Sequence, residues 1–428
     1  MTSASTRPEP LPPPSRLSDA FGGLFSDSPR RPQEALVDTP SARAWFGLLR
    51  WGWEEDLYTF QPPLETRSGA RVRVDGQSLL MLSSYDYLGL IGHPRVTEAA
   101  VTAVRKYGTG PGGVRLLTGT TDLHLDLERE LADFKGSEAA ITFNSGYAAN
   151  LAVIPALVGP NDVVLLDEKA HRSIVDACRL TKADVQRFRH NDVGSLRQVA
   201  RAISNAERIL IVVEGLYSMD GDLCPLPDLI ALKEEIGAFL MVDEAHSFGS
   251  TGATGRGIDE HFELPSASVD VWTGSLSKAI PANGGFVAGS RELIVYLQHA
   301  GAPFMFSSAL CPGATAAARE AVRILRAEPE RLVMLRDNAD TLRTGLQTLG
   351  YDTGLSESCI IPVMLGSDES AYRTARRLRS LGVLASAVVR PAVPAGGARL
   401  RLCAMASHSA ADLDEALNAF AVQRGAPQ

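Results

Sequence analysis

The chain has 428 residues, 45% of them apolar, and its 42 basic and 50 acidic side chains give a formal charge of −8. That length supports two domains around a sizeable core. The acidic balance excludes the basic face that a nucleic acid or an anionic membrane surface would require. Cys178, Cys224, Cys311, Cys359 and Cys403 are odd in number and scattered without metal-ligand spacing, and they read as reduced thiols of a cytoplasmic protein.

Residues 1–40, with "PEPLPPP" among them, carry prolines, serines and charges that cannot form a packed core, so they read as a disordered arm. A proline-recognition domain could take such a segment, but a solvated tail is the simpler reading. The arm lacks the apolar stretch of a secretory signal, and no apolar run along the chain has the length to cross a bilayer. Residues 41–92 form an N-terminal segment in which "ARVRVDGQSLLMLSS" alternates around a "DG" turn, predicting a β-hairpin near 71–83.

From 93 to 300 helical and strand patterns alternate. "PRVTEAAVTAVRKYG" and "LDLERELADFKG" have helical spacing and end in glycine, whereas "EAAITF", "DVVLLD", "RILIVVE" and "AFLMVD" are apolar runs of strand length. Continuous apolar strands separated by helices predict an α/β domain with a mostly parallel sheet covered on both faces. Residues 301–428 change texture, with long Ala/Arg/Leu helices before "CIIPVML" and "RLRLCA", and predict a smaller α+β domain. There is no internal repeat.

Ligands of open α/β sheets lie beyond the carboxyl ends of the strands, and three such ends carry reactive side chains. "FLMVD" ends in Asp243, with His246 three residues on; "RILIVVE" ends in Glu214; "EAAITF" breaks at "NSGYAAN", where Ser145 can cap a helix whose first amides, at Gly146 and Tyr147, suit a phosphate. "GTGPGGVRLLTG" contains a glycine pattern of dinucleotide type, but it follows a helix and includes Pro111, which argues against that use. Lys278 stands in a Ser/Gly-rich turn, "TGSLSKAIPANGG". An amine, an anion at a strand end and a phosphate-binding helix start are the parts that pyridoxal 5'-phosphate (PLP) needs. Lys278 would hold its aldehyde as a Schiff base, Asp243 would keep its ring nitrogen protonated, and Ser275 and Ser277 would donate to its phosphate. His246 could reach the phenolic oxygen, and His171, after "DVVLLD", could lie on the ring face and align a substrate carboxylate.

With those residues in place, the chain resembles the α-oxoamine synthase family of fold-type-I PLP-dependent transferases, from "SSYDYLGL" (83–90) to "ASHS" (406–409). "GTGPGGVRLLTGTTDLHLDLERELADF", "FNSGYAAN", "EGLYSMDGD", "VDEAHSFGSTG", "GSLSKA", "GGFVAG", "FSSAL" and "VPAGGARLRL" occur in the family's order. The resemblance implies a decarboxylative condensation of a small L-α-amino acid with an acyl thioester, on coenzyme A or an acyl carrier protein, giving an α-amino ketone. It implies Lys278 as the Schiff-base lysine and base, Asp243 on the ring nitrogen, His171 on the ring, and His246 and Ser218 as further cofactor contacts. It also implies a homodimer with the active site at the interface, where Ser307 and Ser308 reach the partner subunit's phosphate, and Arg399 as the grip on the amino acid's carboxylate. Ala392 stands where some members have threonine, and Pro281 replaces a run of glycines, which points to a specialised biosynthetic member. Another fold-type-I reaction, transamination or decarboxylation, and a non-catalytic partner subunit are the alternatives.

Overall fold

The structure is a computed structural model and describes residues 36–425. The expected proline-rich arm falls, as far as residue 35, outside the described residues. Helix α1 (Pro40–Glu54) is capped by the Thr39 hydroxyl, which accepts from the Ala42 amide. The hairpin of β1 (Arg71–Val74) and β2 (Gln77–Met81) turns through Asp75 and Gly76 at φ 49° and 73°, the left-handed pair that a two-residue hairpin turn requires.

The large body follows with α2 (Pro94–Tyr107), α3 (Asp122–Lys135), β3 (Ala139–Phe143), α4 (Gly146–Leu157), β4 (Val163–Asp167), α5 (Arg172–Leu180), β5 (Asp184–Phe188) and α6 (Val193–Arg201). It continues through β6 (Ile209–Glu214), α7 (Leu226–Ile236), β7 (Phe239–Asp243), α8 (Ile258–His261), β8 (Val271–Ser277), β9 (Pro281–Gly289), α9 (Arg291–Ala300) and α10 (Ala302–Phe306). The seven strands lie in the order β3-β9-β8-β7-β6-β4-β5, and only β9 runs antiparallel to its neighbours. The apolar runs are continuous because both faces are buried: in β6, Ile211 and Val213 enter one core while Leu210 and Val212 enter the other. β4 divides in the same way, Val163 and Leu165 against Val164 and Leu166.

The remaining elements are α11 (Pro312–Ala327), α12 (Glu330–Thr348), β10 (Ile360–Gly366), α13 (Asp368–Ser380), β11 (Val383–Leu384), β12 (Ser386–Val388), β13 (Ala398–Cys403) and α14 (Ala410–Arg424). Two expected boundaries move. The N-terminal segment does not stand apart: β11 adds in parallel to β2, and Leu57, Leu80 and Leu82 join the smaller core with Leu400, Leu402 and Phe420. The division at 301 also shifts, because Ala318, Val322, Leu325 and Leu335 of α11 and α12 belong to the large core. One strand is unforeseen, and one local expectation changes. "DVQRF" is a strand despite its polar residues, and "TGSLS" is the body of buried β8 rather than a turn, paired with β9, so that Lys278 follows a strand end directly.

A buried ion cluster ties α3 to the loop after β7. The Lys135 amine lies 2.8 Å from Glu244 Oε2, 2.7 Å from Asp259 Oδ1 and 3.5 Å from the Trp272 ring centroid, with all three charged side chains fully buried. Lys135→Ala leaves Glu244 buried without its cation and Asp259 with only Arg256, 3.3 Å away, and should lower unfolding free energy by about 3–5 kcal/mol in urea titration; an unchanged midpoint would contradict this assignment.

Candidate functional site

Asp243 ends the central strand β7, in register with Glu214 of β6 and Thr273 of β8, and is 5% exposed. A buried carboxylate needs donors. Asn150, one turn into α4, donates to Asp243 Oδ2 at 2.7 Å, and the Ala245 amide donates to Oδ1 at 2.8 Å. The Asn150 carboxamide is used on every side: it also accepts from the Thr273 hydroxyl at 2.9 Å and donates to Ser173 Oγ at 2.9 Å. Ser173 Oγ lies 2.7 Å from His171 Nδ1, and the Ser173 amide donates to the same nitrogen at 3.2 Å. That amide bond makes Nδ1 the acceptor and leaves the proton on Nε2. Burial and the charge of Lys278 lower the His171 pKa while Asp243 opposes them, so the ring is a neutral donor at physiological pH.

Lys278 faces this carboxylate from the end of β8. Burial lowers the pKa of its amine; Asp243 opposes the shift, Arg401 adds to it, and Glu214 opposes it. Among the described residues the amine has no hydrogen-bond or ion-pair partner, and the Tyr85 ring centroid lies 5.9 Å from Nζ. Such an amine is a ready nucleophile and base. His246 is buried beside it, its Nδ1 2.8 Å from the Tyr87 hydroxyl, and burial together with the charges of Lys278 and Arg401 holds its pKa well below the usual value. Glu214, beside Asp243, is driven the other way: burial and the neighbouring Asp243 charge raise its pKa well above the carboxylate range.

The anion cradle lies across the sheet edge. Ser145 caps α4, accepting from the Ala148 amide at 3.0 Å, and the Ser275 and Ser277 hydroxyls sit 2.7 Å apart next to the helix start. Close backbone approach makes this possible: a Cβ on Gly285 would lie 2.4 Å from both Gly146 N and Ser145 O. Tyr147 is exposed, and its hydroxyl donates to Asp176 of α5. Asn144 donates to Ser307 Oγ at 2.8 Å and to the Ser308 carbonyl at 2.6 Å, which brings both serines to the cradle's outer edge. These parts fit PLP: a capped helix start flanked by the Ser275 and Ser277 hydroxyls, a buried carboxylate and an unpartnered amine lie together beyond the strand ends.

Arg399, expected at the substrate carboxylate, stands farther from the amine than its strand neighbour Arg401, which alone of the two acts on Lys278. It lies on β13, but its guanidinium is engaged by Asp220 at 3.0 Å, the Met219 carbonyl at 3.0 Å and the Gly397 carbonyl at 2.9 Å. Arg401, two residues along the same face, lies nearer the Lys278 amine. It donates to the Ser218 carbonyl, lies 3.3 Å from the Tyr87 hydroxyl, stacks 4.8 Å from the Tyr85 ring centroid, and acts electrostatically on both Lys278 and His246. Ser218 therefore contributes its backbone to Arg401. The strand period places both arginines on one face, and only the partners at the far end of the sheet tell them apart. Asn150 and Tyr87 were missed, although both stand inside the motifs "FNSGYAAN" and "SSYDYLGL".

A family model described as aminotransferase class I and II matches residues 77–420. The chain is 45% identical to 8-amino-7-oxononanoate synthase of Thermoanaerobacter pseudethanolicus over 83% of its own length and 90% of that protein. It is 45% identical to the Geobacter sulfurreducens protein of the same name over 89% and 97%. Serine palmitoyltransferase from S. paucimobilis, solved with PLP and myriocin, superposes with a TM-score of 0.87 at 32% identity, covering 92% of this chain and 98% of that one. An 8-amino-7-oxononanoate synthase from Francisella tularensis gives 0.70 at 25% identity, covering 80% and 97%.

Gly285→Ala tests the cradle. The added methyl meets backbone atoms that cannot move aside, so β9 and the α4 start must part. The dissociation constant of PLP should rise at least about tenfold, the loss of one charge-assisted bond, while that of pyridoxal, which lacks the phosphate, stays the same. Equal losses for both would contradict the cradle.

Proposed function

The chain belongs to the class I and II aminotransferase family and within it to the α-oxoamine synthases, and from that premise we propose that its amino-acid substrate is L-alanine before L-serine. The enzyme is a PLP-dependent acyltransferase that condenses an amino acid with an acyl thioester and releases CO2. Cutting the product named in the 45% identical relatives between its amine-bearing and ketone carbons leaves alanine without its carboxyl and a straight-chain dicarboxylic acyl group. Serine palmitoyltransferase, at 32% identity, is named for serine and a longer chain.

When bound, PLP supplies an electron sink for a carbanion at the amino acid's α-carbon. Lys278 takes the α-proton, because its amine is the unpartnered base whose pKa burial has lowered. Asp243, fixed by Asn150 and the Ala245 amide, keeps a negative charge at the ring nitrogen. The Nε2–H of His171 orients the substrate carboxylate from the open side, and Arg401 grips that carboxylate with its planar fork. His246, held neutral with its Nδ1 on Tyr87, would contact the cofactor's phenolic oxygen. The Gly146 amide with Ser275 and Ser277 would hold its phosphate. The observation that carries this reading is that the unpartnered Lys278 amine, within electrostatic reach of Asp243, shares the Tyr85 ring with Arg401, at 5.9 and 4.8 Å from the ring centroid.

The surface beside Ser307 and Ser308 is apolar and exposed. Phe306 is 79% exposed beside Ser307, Leu117 is 77% exposed, and a bridge from Val114 to Ser308 joins their two segments. A second copy of the chain covers this surface, and Ser307 and Ser308 then reach the partner subunit's phosphate. Among the described residues no helix is long and apolar enough to cross a membrane, and the free thiols suit the cytoplasm.

Holoenzyme supplied with L-alanine and a dicarboxylic acyl-coenzyme A should release CO2 and free thiol in equal amounts, faster than with L-serine. Accumulation of pyridoxamine phosphate, or CO2 without thiol, would overturn condensation; a preference for serine would overturn only the alanine assignment. Arg401→Lys should raise the KM for the amino acid about ten- to a hundredfold by replacing a fork with a point charge. Arg399→Lys, which keeps a cation on Asp220, should change it much less.

A further inference from the structure

His190 lies outside the cofactor cleft, at the end of β5, and both of its ring nitrogens face carboxylates. Nδ1 is 3.0 Å from Asp167 Oδ1, at the end of β4, and Nε2 is 2.8 Å from Asp222 Oδ2, in the loop 215–224 that follows β6. Asn191, at φ 51° in the left-handed region that asparagine tolerates, repeats the link: its amide donates to Asp167 Oδ2 at 3.0 Å and its side chain to Asp222 Oδ2 at 3.0 Å. The Tyr217 ring stands edge-on to the imidazole at 4.4 Å. A single residue thus spans two strand ends and a loop.

That loop is where the small body's arginines attach. Ser218 and Met219 present their carbonyls to Arg401 and Arg399, and Asp220 pairs with Arg399 and with Lys169. The loop's other side is fitted closely against the start of β10. A Cβ on Gly221, at φ 72°, would lie 2.0 Å from the Ile360 carbonyl, and Ser358 donates to the Gly221 carbonyl at 2.8 Å. Its position therefore sets where Arg401 stands relative to Lys278.

Resting on the condensation reading above, we propose that His190 is a positioning residue: bonded through both ring nitrogens, it locks the loop 215–224 so that Arg401 is held ready for the substrate carboxylate. Two ionised acceptors require two N–H donors, which only the imidazolium has. The side-chain bonds from Asp167 and Asp222, acting against burial, raise the His190 pKa to about 9. The groups facing the ring are these two carboxylates, Tyr217 and the Asn191 amide; Glu168 Oε1 takes the His190 backbone N–H at 3.2 Å, and Lys169 sits one step away on Asp220. Sign follows directly. The folded-state pKa lies above the unfolded one, so the clamp is closed below about pH 9 and opens as pH rises through that value.

The test uses holoenzyme, L-alanine and an acyl-coenzyme A over pH 7–10. His190→Gln offers one donor group and no charge, so at pH 7 the KM for alanine should rise about tenfold with kcat and the visible cofactor band nearly unchanged. The variant-to-wild-type ratio of KM should then fall toward one above pH 9, as the wild type loses its own clamp. Titrations common to both enzymes, including the substrate amine and Lys278, cancel in that ratio. Asp222→Asn provides a second reading if the first variant does not fold. It keeps an acceptor but removes a charge, so the pH at which the alanine KM rises should move down from about 9 toward the unperturbed histidine value. A pH-independent KM ratio, an unchanged KM, or an unmoved step in Asp222→Asn would overturn the positioning role. Because wild-type turnover is measured in the same series, that failure is distinct from a failure of the condensation itself.

Discussion

A carboxylate placed at the buried end of the central strand is the constraint around which the rest of this protein is arranged. Asp243 is 5% exposed, and an isolated charge there would be strongly disfavoured. Its two oxygens are answered by Asn150 and by the Ala245 amide, its carbonyl accepts from the Gly215 amide at 2.8 Å, and its strand neighbour Glu214 is kept toward the neutral acid. The same Asn150 carboxamide passes the constraint on through Ser173 to His171, which fixes the tautomer of the histidine on the open side of the cleft. Holding the negative charge in place thereby sets the helix start that carries the anion cradle, since Asn150 and Gly146 belong to one helix.

The site is also a junction between two packed bodies. Lys278, Asp243 and His171 come from one sheet, whereas Arg401 comes from β13 in the smaller core. The two are joined by the loop 215–224, which takes bonds from His190 and Asn191 on one side and from Arg399, Arg401 and Ser358 on the other. This division suits the chemistry. The charge-handling groups sit at strand ends of the large sheet, and Arg401 is brought to them from the small body through the loop 215–224.

Much of this was legible in the sequence for physical reasons. Asp243, Lys278, His171 and His246 all stand where an apolar run stops, and strand ends of an open α/β sheet are where ligands bind. The capped helix at Ser145 follows from local hydrogen bonding. What could not be read were relations across sequence distance. That β2 pairs with β11, some 300 residues on, depends on a shared core rather than on local pattern. "DVQRF" gave no apolar run because β5 is an edge strand, and only Phe188 in it is fully buried. Arg399 and Arg401 share a strand face, so only the position of Asp220 against that of Tyr85 and Tyr87 assigns their tasks. Asn150 sat in a motif already singled out, but its three partners lie on three other segments.

The central claim is that Lys278 removes the α-proton of an amino acid held beside Asp243. It is tested most directly by following exchange of the L-alanine α-proton with deuterated solvent by NMR, in the absence of any thioester, for the wild type and for Lys278→Ala loaded with PLP. The account predicts exchange in the wild type and a loss of about 10²–10⁴-fold in the variant, the usual contribution of a positioned base, with amino-acid binding retained through Arg401. Exchange at close to the wild-type rate in Lys278→Ala would contradict it and move the base to another group in the cleft.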